Sequence, residues 1–247
     1  MRLLHTTNHK LEEFKAHEIP LYAILSHTWG ENEVTFQDIK GADVKNEERC
    51  KKIRNTCTIA ADHGFDYVWI DTCCIDKTSS AELSEAINSM YRWYQESGVC
   101  YAYLADVLSK ADDHQSIARS SEFSECRWFT RGWTLQELIA PSTVIFFDQK
   151  WQEIGTKSSL RQPISEITGI PDSILLGDDL ERASIAQRMS WASGRESTRV
   201  EDGAYCLMGI FFVNMPLLYG EGERAFIRLQ EEIIRVSDDH SLFAWES

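Results

Sequence analysis

Four short apolar runs stand along the first 150 residues, each bounded by polar or turn-forming positions, and they read as β-strands over residues 21 to 26, 67 to 71, 99 to 104 and 143 to 147. Helical spacing fills the gaps between them. Glu47 to His63 carries Cys50, Ile53, Cys57 and Ala60 or Ala61 on one face, with Gly64 placed as a C-cap. Ser79-x-x-Glu82 has the form of a capping box and opens a helix whose Leu83, Ala86, Ile87, Met90 and Tyr94 share a face. After a polar excursion from Ser109 to Glu125, a short helix around Trp133 to Ile139 is stopped by Pro141. The order is βαβαβαβ. Strands apolar throughout and separated by crossover helices predict a parallel sheet covered on both faces.

From Trp151 onward the pattern changes to helices and loops punctuated by Pro163 and Pro171. The last clear element runs from Glu223 to Val236, with Phe226, Leu229, Ile233 and Val236 as its apolar stripe. No Gly/Ser linker and no internal repeat divides the chain. Residues 1–150 therefore read as an α/β core and residues 151–247 as a mostly helical extension packed on it, one domain over 1–247. The apolar end Phe243-Ala244-Trp245 suggests a module cut from a longer protein, a natural terminus docking on the core being the alternative.

Charge narrows the function. With 39 acidic against 25 basic side chains the net charge is −14, whereas a nucleic-acid binder needs a basic face to neutralise phosphates. No segment approaches the roughly 20 apolar residues of a membrane span, and no signal peptide is recognisable. Seven cysteines without a regular framework fit reduced thiols in a cytosolic or nuclear compartment. The adjacent pair Cys73-Cys74 lacks the ligand spacing of a zinc site, so no metal is expected. G-x-G-x-x-G, Walker and G-x-S-x-G motifs are all absent from the sequence.

In an open parallel sheet ligands bind outside the carboxyl ends of the strands. Those ends read Ser26-His27-Thr28-Trp29-Gly30, Asp71-Thr72-Cys73-Cys74-Ile75-Asp76, Asp106 and Asp148. Ser26, Asp71 and Asp76 are equally suited to capping or turning the segments that follow. His27 with Cys73 or Cys74 has the elements of a nucleophile and base, against the plainer role of a buried thiol. Trp133 and Glu137, four apart, put an aromatic wall and a carboxylate on one helix face. Such a carboxylate has a raised pKa or faces developing positive charge, and the alternative is a solvated Glu beside a packed Trp. Arg195 and Arg199, in the polar run Ser193 to Asp202, have the chemistry of a phosphate clamp or of an ordinary solvated loop. The turn Tyr219-Gly220-Glu221-Gly222-Glu223 carries no assignment from sequence.

Taken together, Tyr22 to Gly30, Trp69 to Asp76, Arg131 to Leu138, Arg199 to Asp202 and Leu217 to Gly222 resemble the fungal heterokaryon incompatibility (HET) domain over roughly residues 19 to 235. That resemblance implies a cell-death effector of non-self recognition, often N-terminal to a nucleotide-binding oligomerisation domain and repeats. The family is in turn remotely similar to TIR domains. This implies a flavodoxin-like core, a cytoplasmic location, self-association and hydrolysis of NAD at the nicotinamide–ribose bond without a further cofactor. The TIR pattern W-x-x-x-E falls on Trp133 and Glu137, making Glu137 the implied catalytic carboxylate. Ser26, His27, Trp29 and Gly30, with Asp71, Cys74 and Asp76, are then expected around the nucleotide, joined by Arg131, Trp133, Arg195 and Arg199. A stretch inserted before Trp128 and the extension beyond residue 150 depart from the TIR pattern. Two other readings compete: a non-enzymatic TIR-like self-association module, and a nucleoside or nucleotide glycosyl transferase.

Overall fold

The computed structural model describes residues 1–41, 44, 47–108, 120–239 and 241. Its centre is a seven-stranded sheet of order β2-β1-β4-β3-β5-β6-β7. The strands are β1 (Arg2–His5), β2 (Leu11–Glu13), β3 (Ala23–His27), β4 (Tyr67–Trp69), β5 (Val99–Tyr103), β6 (Val144–Phe147) and β7 (Glu153–Thr156). β3, β4, β5 and β6 are the four apolar runs, and β3 pairs parallel with β4 and β5, and β5 with β6. Every residue of β3 is buried, as expected for a strand covered on both faces.

The sheet is mixed, which corrects the expectation of a purely parallel one. An N-terminal hairpin adds β1 and β2, with β1 antiparallel to β4, and β7 returns antiparallel along β6. Strand β7 also means that the region after residue 150 begins within the sheet before it turns helical. Antiparallel neighbours need only short connections, so these edge strands join without crossover helices.

The helices follow the sequence pattern closely at their starts. A helix over Lys51–Asp62 ends before Gly64, whose φ of +83° suits a residue without a side chain. The helix Ser80–Glu96 opens at Ser79, whose hydroxyl accepts from the Glu82 N–H. The reciprocal half of that capping box is absent: Glu82 accepts instead from the Asp76 N–H at 2.7 Å and pairs with Arg2. In the final helix, Arg224–Val236, the buried stripe is Ala225, Leu229 and Ile233. Val236 is exposed, so the stripe is rotated from the expected one. The inserted stretch resolves in part as a short helix, Ser121–Ser124, anchored by buried Phe123, while residues 109–119 lie outside the described residues. All seven cysteines are buried.

The chain leaves β3 toward β4 and then crosses back to β5 on the other side of β3. The carboxyl ends of β3 and β5 therefore flank a topological switch point, where an open sheet leaves a crevice.

Candidate functional site

Ser26 points into the protein from the end of β3 and is fully buried, so its hydroxyl must find partners there. It accepts from Trp128 Nε1–H at 2.8 Å and donates to Glu137 Oε2 at 2.5 Å. Tyr94, on the long helix, donates its single proton to the Leu25 carbonyl at 2.9 Å. Its oxygen is then left as an acceptor toward the Glu137 carboxyl, which it also meets. This arrangement suits a protonated acid. Burial raises Glu137 from the ordinary 4.5 to about 8, helped by the charge of Asp71 and opposed by the Ser26 hydrogen bond and by Arg195.

Glu137 sits on the six-residue helix Thr134–Ile139, too short to be stable unaided. Tertiary groups hold both its ends. Thr134 Oγ1 reaches the carbonyls of Trp128 and Arg131, and Arg195 binds both Thr134 Oγ1 and the Arg131 carbonyl at 2.9 Å. At the other end the buried Lys157 ammonium donates to the Leu138 and Pro141 carbonyls, completing a cap that the backbone leaves unfilled.

A second cluster follows β3 and β4. Asp71 accepts from Trp29 Nε1–H at 2.8 Å and meets His27 Nε2 at 3.0 Å. The Lys52 ammonium lies 2.9 Å from His27 Nδ1 and pairs with Glu33. An ammonium only donates, so Nδ1 accepts and the proton of the neutral ring stands on Nε2, facing Asp71. Burial works against the Asp71 charge, but Lys77, His27 and Trp29 outweigh it and hold the carboxyl well below its ordinary range.

The third wall comes from the later half of the chain. Asp202 accepts from Tyr219 OH at 2.9 Å and also meets the Trp133 side chain, and burial raises its pKa despite these bonds. The Arg199 guanidinium lies 4.4 Å from the Tyr219 ring centroid, and Arg131 donates to Thr198 at 2.8 Å. Glu201 organises this wall from behind. Its Oε1 accepts from the N–H groups of Gly220 and Gly222 at 2.7 and 3.1 Å, and both glycines have positive φ, +105° and +61°. The unassigned Tyr219 to Glu223 turn is thus a clasp that aims Tyr219.

These walls enclose a cavity of about 360 Å³ whose apolar side is Ile75, Leu83, Ile87 and Met90. That volume is within the usual range for small-molecule sites. Of the residues expected around a nucleotide, His27, Trp29, Asp71, Arg131, Trp133, Glu137 and Arg199 line it together. Ser26 stands behind Glu137 and touches it. Gly30, Cys74, Asp76 and Arg195 are not in the lining. Gly30 donates outward to Glu33, and the Cys74 thiol turns under its own short helix to the Ile70 N–H. Asp76 is occupied by Thr78 and Gln37. Arg195 is buried against carbonyls, so of the anticipated arginine clamp Arg199 faces the cavity. His27 has Asp71 and Lys52 at its two nitrogens, while burial and the neighbouring Cys74 push the Cys73 thiol well up, its hydrogen bond to Cys74 foremost; neither matches an activated thiol. Lys77, Tyr94, Asp202 and Tyr219 were missed as site residues, although Lys77 directly follows the Asp71 to Asp76 motif and Asp202 and Tyr219 stand in the two late motifs. Among the described residues no cluster of three or more His, Cys, Asp or Glu is placed to hold a metal.

An α/β domain with a carboxylate-bearing cavity at its strand ends is the class that fold and site define. The family model for heterokaryon incompatibility protein (HET) matches residues 22–119, and a domain of unknown function (DUF8212) matches residues 224–247. The chain carries a HET domain. It is similar to the vegetative incompatibility protein HET-E-1 of Podospora anserina, 49% identical over 220 residues, which is 87% of this chain and 16% of that relative. The chain thus spans a small part of the curated relative it matches. No solved structure matches it. Among the described residues, no helix is long and apolar enough to cross a membrane.

Proposed function

We propose that this domain is a cell-death effector of fungal non-self recognition that hydrolyses NAD at the nicotinamide–ribose bond. The observation that carries the reading is Glu137, a buried carboxyl facing a cavity at the carboxyl ends of β3 and β4, one helical turn from Trp133. The spatial order of the four parallel strands, second-first-third-fourth, supports the flavodoxin-like, TIR-like relationship. The likeness to a vegetative incompatibility protein supports the cellular role.

At neutral pH Glu137 holds its proton. A cationic pyridinium seated beside it favours the anion, so the proton leaves as substrate enters. The carboxylate then holds the ribose hydroxyls and stabilises positive charge as the glycosidic C–N bond breaks. The bonding pair goes to the nicotinamide nitrogen, water bonds to the ribosyl carbon, and one proton is released. Arg131 and Arg199 offset the unfavourable net charge for a substrate bearing phosphates. As a HET domain within a longer protein, such an effector would be triggered through self-association and through a nucleotide-binding oligomerisation and repeat region.

Incubation of the purified protein with NAD, ATP and nucleosides, at low and high protein concentration, tests the reading. Nicotinamide release from NAD with nucleosides untouched is expected. Release of bases from nucleosides would favour the glycosyl transferase, and no turnover at any concentration would favour a non-enzymatic signalling module.

A further inference from the structure

One corner of the cavity already holds a cation, and it is the protein's own. Lys77 Nζ lies 3.6 Å from the centroid of the Trp29 ring and 3.6 Å from Asp71 Oδ2. The second distance exceeds a hydrogen bond, so Lys77 is held by charge and by the ring face. Its partners are fixed independently of it. Trp29 is tied to Asp71 through its Nε1–H, and Asp71 is braced by His27, whose far nitrogen is held by Lys52. Lys77 itself stands in a turn, its side chain one-third exposed and carried on a flexible stem. Trp29 is 52% exposed on the cavity rim, unusual for the largest apolar side chain in a folded domain.

An aromatic face and a carboxylate converging on one point are what a flat organic cation requires. We propose that the Trp29–Asp71 corner is the binding site for such a cation, the pyridinium ring of an oxidised nicotinamide nucleotide, and that Lys77 is a built-in competitor that gives way when the ring seats. The identity of the cation rests on the glycohydrolase reading; the existence of the corner does not. Ammonium and pyridinium are interchangeable there in charge. The neutral ring of a reduced nucleotide brings no charge to either partner, so this corner selects the oxidised form.

The test is calorimetric titration of the intact chain with 1-methylnicotinamide, methylated on the ring nitrogen and so a permanent pyridinium cation, and with nicotinamide, its neutral counterpart. Parent, Lys77→Met, Lys77→Gln and Trp29→Leu are compared, with thermal melting to verify folding. The cation should bind about tenfold or more tighter than the neutral ring, and both Lys77 variants should tighten the cation alone by about tenfold. Trp29→Leu should remove the preference. Equal binding of the two rings, or no gain from either Lys77 variant, overturns the proposal. Cation-selective binding without nicotinamide release from NAD would keep the site and remove the glycohydrolase reading. Release without cation selectivity would do the reverse.

Discussion

At the scale of single residues, the Glu137 carboxyl is costly to ionise because burial replaces its water with one serine donor and the oxygen of Tyr94. Its pKa is about 8 in the folded chain against an ordinary 4.5. Between those values the folded state holds a proton that the unfolded chain has lost. The stability this proton supports is complete below pH of about 4.5 and is lost as pH rises through about 8. Glu137→Gln keeps the neutral shape and removes the titration. It should therefore gain on the parent as pH rises, with little difference near pH 5 and on the order of a few kcal/mol above pH 8. Urea unfolding of both proteins across that range checks this, and parallel stability curves would contradict it. The W-x-x-x-E spacing made Glu137 legible in the sequence. The partners that its carboxyl meets, Ser26 and Tyr94, were legible as strand and helix residues but not as its neighbours, because that contact spans 111 residues in the case of Ser26.

At the scale of elements, the four central strands were readable because burial on both faces makes them apolar throughout. The edge strands were not: β2 has no fully buried residue, and β7 buries Ile154 alone. The docking of the later half depends on a close approach that composition does not announce. At Gly209, in the turn of helix Met208–Phe211, an added Cβ would stand 2.1 Å from Tyr91 Cβ on the long helix. Tyr91 Cβ is fixed to its backbone, so neither side can give by a rotamer change. Gly209→Ala should cost about 1–3 kcal/mol and loosen the wall carrying Asp202 and Tyr219. Thermal melting measures it, and an unchanged melting temperature would mean the two elements separate more easily than their packing implies. A matching revision concerns Glu82. It holds the Asp76 N–H and Arg2 rather than closing a capping box, so Glu82→Gln disturbs the link between the N-terminal hairpin and the long helix.

At the scale of the whole molecule, the region beyond residue 150 supplies a wall of the cavity, with Arg199, Asp202 and Tyr219 facing the strand-end residues His27 and Asp71. One chain therefore lines the cavity from both of its halves. The central claim is that Glu137 carries NAD cleavage in this cavity. Its most direct measurement is nicotinamide release by the parent and by Glu137→Gln, both held together by a fused oligomerisation tag so that assembly is not limiting, with melting followed in parallel. The account predicts release by the parent, a loss of about 100-fold or more in Glu137→Gln, and a variant that melts no lower than the parent. Undiminished release from a Glu137→Gln sample that melts like the parent would contradict it.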